Sequence, residues 1–329
     1  MPRPPRGPAP AASPRAPSPS ADAAAAADAD GDAALLGLTD LFTLTCYEPR
    51  SYSFSRGAGD PGGALEQTCE ALSAGSTDFD MTGTIVWLIS RLTAHYLVRE
   101  GWRDVSGQHA LELGAGAGLL GLVASHWAAR VTLTDNEPAV LALLARNAPR
   151  ARCAADCAAL EWGAAADHAR LAAAGAAPVR VLLGADIVFW SAAIAPLVAS
   201  VAALLERPAP ANGGAGGVWI LGYCNRVASM RALLLRLTDE AGLQAEDVGW
   251  DWLGDARAEY PLASWQSLTI WRFTWKGALR REEARGAAAG GEGRGGEVQA
   301  AAVGGAGAAV GGAGAAVGGG CGAVAGAGD

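Results

Sequence analysis

The chain has 329 residues, a formal net charge of −8 and 51% apolar residues. The acidity argues against a nucleic-acid-binding surface as its main business, and no apolar run reaches membrane-spanning length, because Arg, His, Asp or Gly interrupts each one. All eleven tryptophans fall between Trp87 and Trp275, and all five tyrosines and five phenylalanines between Phe42 and Phe273, so the core is expected in the middle of the chain.

In chain order, the opening stretch MPRPPRGPAPAASPRAPSPSADAAAAADADGD is Pro, Ala and Ser, then Ala and Asp. It lacks the apolar area that would offset chain ordering, so residues 1–38 are expected to be a disordered tail. A loop is expected next, and then a helix over Thr82 to Glu100, where Ile85, Leu88, Ile89, Leu92, Tyr96 and Leu97 share a face. Strand-like and helix-like runs then alternate. His109–Leu113, Arg130–Thr134, Val179–Gly184 and Val218–Tyr223 read as short apolar strands, each followed by an apolar helical run. Pro138 suits a first helical turn, and Gly242 suits a helix stop. Ser267–Trp275 is a late β-rich run with no helix behind it. From Gly286 onward the chain is Ala/Gly-rich, with Val303, Val310 and Val317 seven apart. Glycine makes poor helix, so a coiled coil is rejected and residues 281–329 are expected to be a second disordered tail. The alternation predicts an α/β domain over residues 39–280, with a mainly parallel sheet and helices on both faces.

Six cysteines (Cys46, Cys69, Cys153, Cys157, Cys224 and Cys321) form no Cys-x-x-Cys pair and have no zinc-type spacing. Together with the lack of a signal-peptide-like apolar stretch near the N-terminus, this predicts free thiols and a reducing compartment. The cytoplasm is expected, with nucleus and organelle left open. A single lysine, Lys276, stands among 25 Lys and Arg residues; this reads as codon pressure.

The sequence LELGAGAGLLG, Leu111 to Gly121, places Gly114, Gly116 and Gly118 at every second position between a strand and an apolar helix. Glycines permit a tight turn and close approach of backbone to a ligand, and such turns bind ligands beyond the strand ends. A dinucleotide site would need glycine at 119, where Leu119 stands. Glu112, two residues before the first glycine, suits a ligand with cationic groups and no phosphate. S-adenosylmethionine, with its ammonium and sulfonium, is such a ligand. Asp135, ending the second strand, is placed to accept both ribose hydroxyls, or to cap the helix at Pro138 together with Asn136 and Glu137.

With these residues in view, the core resembles the seven-β-strand S-adenosylmethionine-dependent methyltransferases, and within them the protein-lysine methyltransferase group that includes the calmodulin-lysine and valosin-containing-protein-lysine enzymes. TGTIVW with Trp87, LELGAGAGLLGL, VTLTDNEPAVLALLARN through Asn147, LEWG with Trp162 and GADIVFW are the matching blocks, between about Asp80 and Trp275. The resemblance implies a Rossmann-like, seven-stranded, mainly parallel sheet with helices on both faces, and cofactor contacts at Trp87, Glu112, Gly114, Gly116, Gly118, Asp135, Asn136, Trp162 and Ala185. It also implies a catalytic aspartate at Asp186. The group's Asp-x-x-Tyr reads Asp186-Ile-Val-Phe189 here, so the hydroxyl is missing; Tyr223 is a candidate to supply it, and Arg226 matches an arginine common in that segment. The implied reaction is transfer of a methyl group to a lysine amine of a protein substrate. Asp186 would orient the amine, and Phe189, Trp190 and Tyr223 would wall it. Trp190 packing beneath the next helix and Trp87 packing in the core are the plain alternatives. A monomer without nucleic-acid or membrane partners is expected. A catalytically silent S-adenosylmethionine-binding protein, a methyltransferase for another substrate class and an NAD-dependent oxidoreductase are the rival readings.

Overall fold

The computed structural model describes residues 47–57, 63–72, 82–260 and 262–278. The expected tails, with Cys321, lie outside the described residues, as does Cys46.

Strands β1 (Tyr47–Ser55) and β2 (Ala64–Leu72) form an antiparallel hairpin, in register from Tyr47 opposite Leu72 to Ser55 opposite Ala64. In β2 every second residue from Leu65 to Ala71 is buried, the alternation of a half-covered strand. Helix α1 (Leu88–Tyr96) continues through a π-helical turn (Leu97–Gly101) into the short α2 (Trp102–Val105). Then follow β3 (His109–Glu112), α3 (Leu119–Ala124), β4 (Arg130–Asp135), α4 (Pro138–Asn147), β5 (Ala154–Ala159), α5 (Ala165–Ala173), β6 (Val181–Ala185), α6 (Ser191–Leu204), β7 (Val218–Cys224), α7 (Ala228–Glu240), β8 (Leu243–Asp247) and β9 (Leu268–Trp275). Two 3-10 segments, Asp251–Glu259 and Leu262–Ser267, connect β8 to β9.

The seven-stranded sheet runs β5-β4-β3-β6-β7-β9-β8, and only β9 is antiparallel to its neighbours. The predicted α/β class and mainly parallel sheet are thus as observed. The strand order reverses between β3 and β6, which opens a crevice at their carboxyl ends.

Strand parity sorts the core. Ala110, Val181, Leu183, Val218 and Ile220 face one side, against Leu92, Leu120 and Val123 of α1 and α3. Their neighbours Leu111, Leu182, Trp219 and Leu221 face the other, against Ile194, Val201 and Leu234 of α6 and α7. Strands buried on both faces are apolar throughout, which is why these runs were visible in the sequence.

The helix predicted over Thr82–Glu100 differs at both ends. A 3-10 turn occupies Thr82–Thr84, and Trp87 is extended (φ −76°, ψ 153°) just before α1. Gly83 and the β-branched Thr84, Ile85 and Val86 are poor helix formers, so the regular helix begins only after them. Trp87 is therefore not on a helix face; its Nε1 donates to the Thr82 carbonyl at 3.1 Å.

Candidate active site

The turn after β3 is built on left-handed backbone. Gly114, Gly116 and Gly118 have φ of 55°, 56° and 79°, angles that cost an L side chain 1–2 kcal/mol or so each. Space is closed as well. A Cβ on Gly114 would lie 2.9 Å from Ile187 Cγ2 and 3.1 Å from the Trp162 ring, and one on Gly116 would lie 2.8 Å from the Gly83 carbonyl oxygen. Gly114 and Gly116 line a cleft of about 550 Å³. Gly118 does not: it turns the chain into α3, and its missing Cβ makes room for Leu144 and Leu133. Its place is in packing rather than at the ligand. The buried Asn147 of α4 fastens this turn. Its Nδ2 donates to the carbonyls of Ala117 and Glu70, both at 2.9 Å, and its Oδ1 accepts from the Glu70 amide at 2.7 Å.

Asp135, at the end of β4, lies in the cleft wall with Asn136 and Glu137. Its Oδ1 accepts the amides of Asn136 (2.9 Å) and Glu137 (3.2 Å), and its Oδ2 accepts that of Gly116 (3.2 Å). Burial raises its carboxyl pKa, while these N–H bonds pull it back. An ionised carboxylate has about four acceptor positions, so it retains capacity for hydroxyl donors from the cleft.

Glu112 sits elsewhere than the sequence suggested. It shares the parity of Ala110, so its side chain enters the α1/α3 face and is 5% exposed. Oε2 accepts the Gly121 amide at 2.7 Å. Gly121 permits this, since a Cβ there would lie 2.8 Å from Oε2 and would clash with Leu133. Burial pushes the Glu112 carboxyl up to about 8, against an ordinary 4.5. The group borders a separate cavity of about 20 Å³ that also touches Ile85, Ser90, Ala115 and Ala185, space for a single water. The picture of two acids flanking one cationic ligand directly is therefore corrected: Asp135 faces the cleft, and Glu112 lies behind its wall. Ala185, ending β6, borders both spaces.

On the β5 side, Leu160 and Trp162 line the cleft. The Leu160 amide donates to the Asp135 carbonyl at 2.8 Å, and the Gly163 amide to Ser200 Oγ at 2.8 Å. Trp162 is thus held between β4 and α6 with its ring beside Gly114.

Opposite lies Asp186, 9% exposed and at φ 58°, the one non-glycine residue with positive φ among the described residues. Left-handed aspartate is tolerated at a modest cost that gathers at functional sites. Arg226, in the turn between β7 and α7, donates Nη1 to Oδ1 at 2.5 Å and Nη2 to Oδ2 at 2.7 Å, a bidentate fork. Its guanidinium carbon also lies 5.5 Å from the Trp87 ring centre. Phe189 lines the cleft beside Trp190, which is 52% exposed; their rings meet edge to face at 5.7 Å. Trp190 therefore does not pack beneath α6. Tyr223 is a second correction. Its parity, that of Trp219 and Leu221, turns it into the opposite core, 1% exposed and stacked on Trp271 at 5.0 Å, with its hydroxyl bonded to Asn225 at 3.2 Å. It walls no part of the cleft and cannot replace the hydroxyl that Phe189 lacks.

The cleft therefore brings together Trp87, Gly114, Gly116, Asp135, Asn136, Trp162, Ala185, Asp186 and Phe189, and leaves out Glu112, Gly118 and Tyr223. Arg226, known from the sequence only as a family echo, is the cation that lines it. The donor set fits an adenosine cofactor without phosphate. A glycine turn, a strand-end carboxylate and an indole line the cleft, and its arginine is already paired with a carboxylate.

A family model described as lysine methyltransferase matches residues 69–210. Protein N-lysine methyltransferase METTL21A of Danio rerio is 38% identical over 109 residues, 32% of this chain and 47% of that protein; the chain spans about half the length of the curated relative it matches. Among solved structures, the N-methyltransferase NodS from Bradyrhizobium japonicum, in complex with S-adenosyl-L-homocysteine, is similar at TM-score 0.42 and 13% identity, covering 60% of this chain and 93% of that one. The T. thermophilus 16S rRNA N2 G1207 methyltransferase, in complex with AdoMet and guanosine, is similar at TM-score 0.42 and 19% identity, covering 69% and 50%. Residues 69–210 are thus what this chain shares with the lysine methyltransferase family model.

Proposed function

We propose that this chain is an S-adenosylmethionine-dependent N-methyltransferase acting on a lysine side chain of a protein. The observation that carries the reading is Asp135, a carboxylate at a strand end, hydrogen-bonded to the glycine turn and facing a cleft at the switch point of the sheet. The family match and the activity named for the relative point the same way.

In this reading Gly114 and Gly116 offer backbone, Asp135 holds the ribose with Asn136 beside it, Trp162 lies against adenine, and Ala185 and Trp87 border the methionine end. Glu112 supports the turn from behind and reaches the cofactor only through its small cavity. The cofactor, when bound, supplies an electrophilic methyl group on a sulfonium. The chain mainly aligns the amine and excludes water. A free lysine amine has a pKa near 10.4, so the acceptor must arrive neutral, and burial against Phe189 and Trp190 favours that form. The Asp186 carboxylate takes two bonds from Arg226 and keeps acceptor positions with which to orient the amine.

The partner is a protein, and the reading includes a monomer in the cytoplasm with one methyltransferase domain over residues 39–280 between two tails. Among the described residues no helix is long and apolar enough to cross a membrane, no cluster of groups could hold a metal, and four cysteines are free. A silent binding protein is favoured by one observation, that Phe189 brings no hydroxyl to the cleft. Incubating the chain with cell extract and methyl-labelled S-adenosylmethionine separates the readings. Label removed by protease but not by nuclease is expected; no incorporation, with retained cofactor binding, selects the silent protein.

A further inference from the structure

Glu112 is a buried acid without a counter-ion among the described residues. Its Oε2 accepts the Gly121 amide at 2.7 Å, and the charge that acts on it, Asp135, has the same sign. The groups that face it from the neighbouring elements are neutral: Cys69 on β2, a thiol that burial pushes up to about 12, Ser90 on α1, and Leu119 and Leu120 on α3. Four residues, Ile85, Ser90, Ala115 and Ala185, line both the small cavity beside Glu112 and the large cleft. The partition between the carboxyl and the cleft is thus a single layer of residues, and Ser90 supplies its one polar side chain.

A carboxyl so placed is held protonated by burial, and a positive charge beyond a thin wall favours its ionised form. Trp87 and Ala185, read above as the border of the methionine end, put that end on the far side of this partition. We propose that Glu112 is the charge sensor of the site. It is protonated in the free chain, gives up its proton when a sulfonium lies in the cleft, and takes one back once the sulfur is neutral, so that it favours S-adenosylmethionine over the spent S-adenosylhomocysteine. The proposal rests on the methyltransferase reading. On ionisation the Glu112 O–H bond breaks, its electron pair stays on the carboxylate, and the proton passes to water. The Ser90 hydroxyl, able to accept and to donate, borders both spaces on that route. After methyl transfer the positive charge resides on the acceptor amine, and Glu112 recovers a proton from water. Coupling of this kind is reciprocal: a ligand that ionises Glu112 is bound more tightly by a chain in which residue 112 can ionise.

Proton counting tests this without turnover. S-adenosylmethionine and S-adenosylhomocysteine are each titrated calorimetrically at pH 7, in buffers of different ionisation enthalpy, against the native chain and Glu112→Gln. The α-amino group of either ligand also titrates near this pH, with a pKa of about 8, but equally in both chains, so the difference between the chains isolates Glu112. S-adenosylmethionine is expected to release about half a proton or more from the native chain relative to Glu112→Gln, and S-adenosylhomocysteine markedly less. Glu112→Gln is expected to move the affinity ratio of the two ligands towards S-adenosylhomocysteine by about fivefold or more. The native chain alone gives a second readout: the infrared band of a protonated carboxyl should weaken on adding S-adenosylmethionine and persist with S-adenosylhomocysteine. The same proton number in both chains, equal release by the two ligands, or an unchanged infrared band overturns the proposal. Binding of neither ligand overturns the methyltransferase reading itself, a distinct failure.

Discussion

Arg226 closes both arms of its guanidinium on Asp186, at 2.5 and 2.7 Å, while its central carbon lies 5.5 Å from the ring of Trp87. One side chain thereby ties the turn after β7 to the strained end of β6 and to the segment ahead of α1. Removing it leaves the Asp186 carboxylate, whose side chain is 4% exposed, without its partner. Arg226→Ala is expected to cost about 2 kcal/mol, below the roughly 3–5 kcal/mol of a fully buried pair, because Arg226 itself is 38% exposed. Asp186→Asn in the same chain should recover part of the loss. Denaturant unfolding of the single and double variants measures the coupling, and additive losses would mean that the fork contributes nothing.

Asp135 and Asp186 should separate binding from transfer. Asp135→Ala is expected to weaken S-adenosylhomocysteine binding roughly ten- to a hundredfold, the range for hydrogen bonds to a charged acceptor. Asp186→Ala is expected to leave that affinity near native and to reduce methyl incorporation. Calorimetric titration of both variants checks the assignment, and the reverse pattern would exchange the two roles.

Glu112 makes the fold sensitive to alkali. Its carboxyl is pushed up to about 8 when folded, from an ordinary 4.5, chiefly by burial. Between these values the native state binds more protons than the unfolded chain, so stability falls as pH rises from about 4.5 to about 8 and is level above that. Glu112→Gln keeps an oxygen for the Gly121 amide without the charge. Its melting temperature should exceed the native value by a few degrees at pH 9 and by little at pH 5. A constant difference across that range would rule out this titration.

His95 has the opposite slope. It is buried, donates Nε2–H to the Ser55 carbonyl at 3.0 Å and accepts at Nδ1 from the Tyr260 hydroxyl at 3.1 Å. Burial holds it near 4, below its ordinary 6.5. As pH falls from 6.5 towards 4 the unfolded chain takes up the proton first, and stability is lost. The effect should be local, since Arg99 also joins Ser55 to Trp252 and Leu253. Hydrogen exchange at β1 and at Asp251–Glu259 is expected to quicken below pH 6 in the native chain. Exchange that quickens evenly over the whole sheet would contradict this.

Central strands were legible because burial on both faces makes them uniformly apolar, as in β6 and β7. Edge strands were not. β5 reads AADCAA and β8 reads LQAED, residues with little strand preference that pair from one side only. The hairpin β1–β2 was read as loop, since its alternation serves a single packed face. At the site, the glycine turn, Asp135, Trp162 and Asp186 could be read from residue type and position at strand ends. Glu112 and Tyr223 could not, because their side chains follow strand parity into the two cores, and parity depends on which face each helix covers. The Arg226 fork joins residues 40 positions apart, a separation that no local pattern reports.

Asn147 divides its amide between Glu70 in the hairpin and Ala117 in the glycine turn. The N-terminal ribbon and the nucleoside-side loop therefore share a single rivet, although one is peripheral and the other central. Asn147 stays with the scaffold, so a ribbon grafted from a cousin must present its backbone at position 70 in the same place, or the Asn147 amide keeps Ala117 and loses its other two partners.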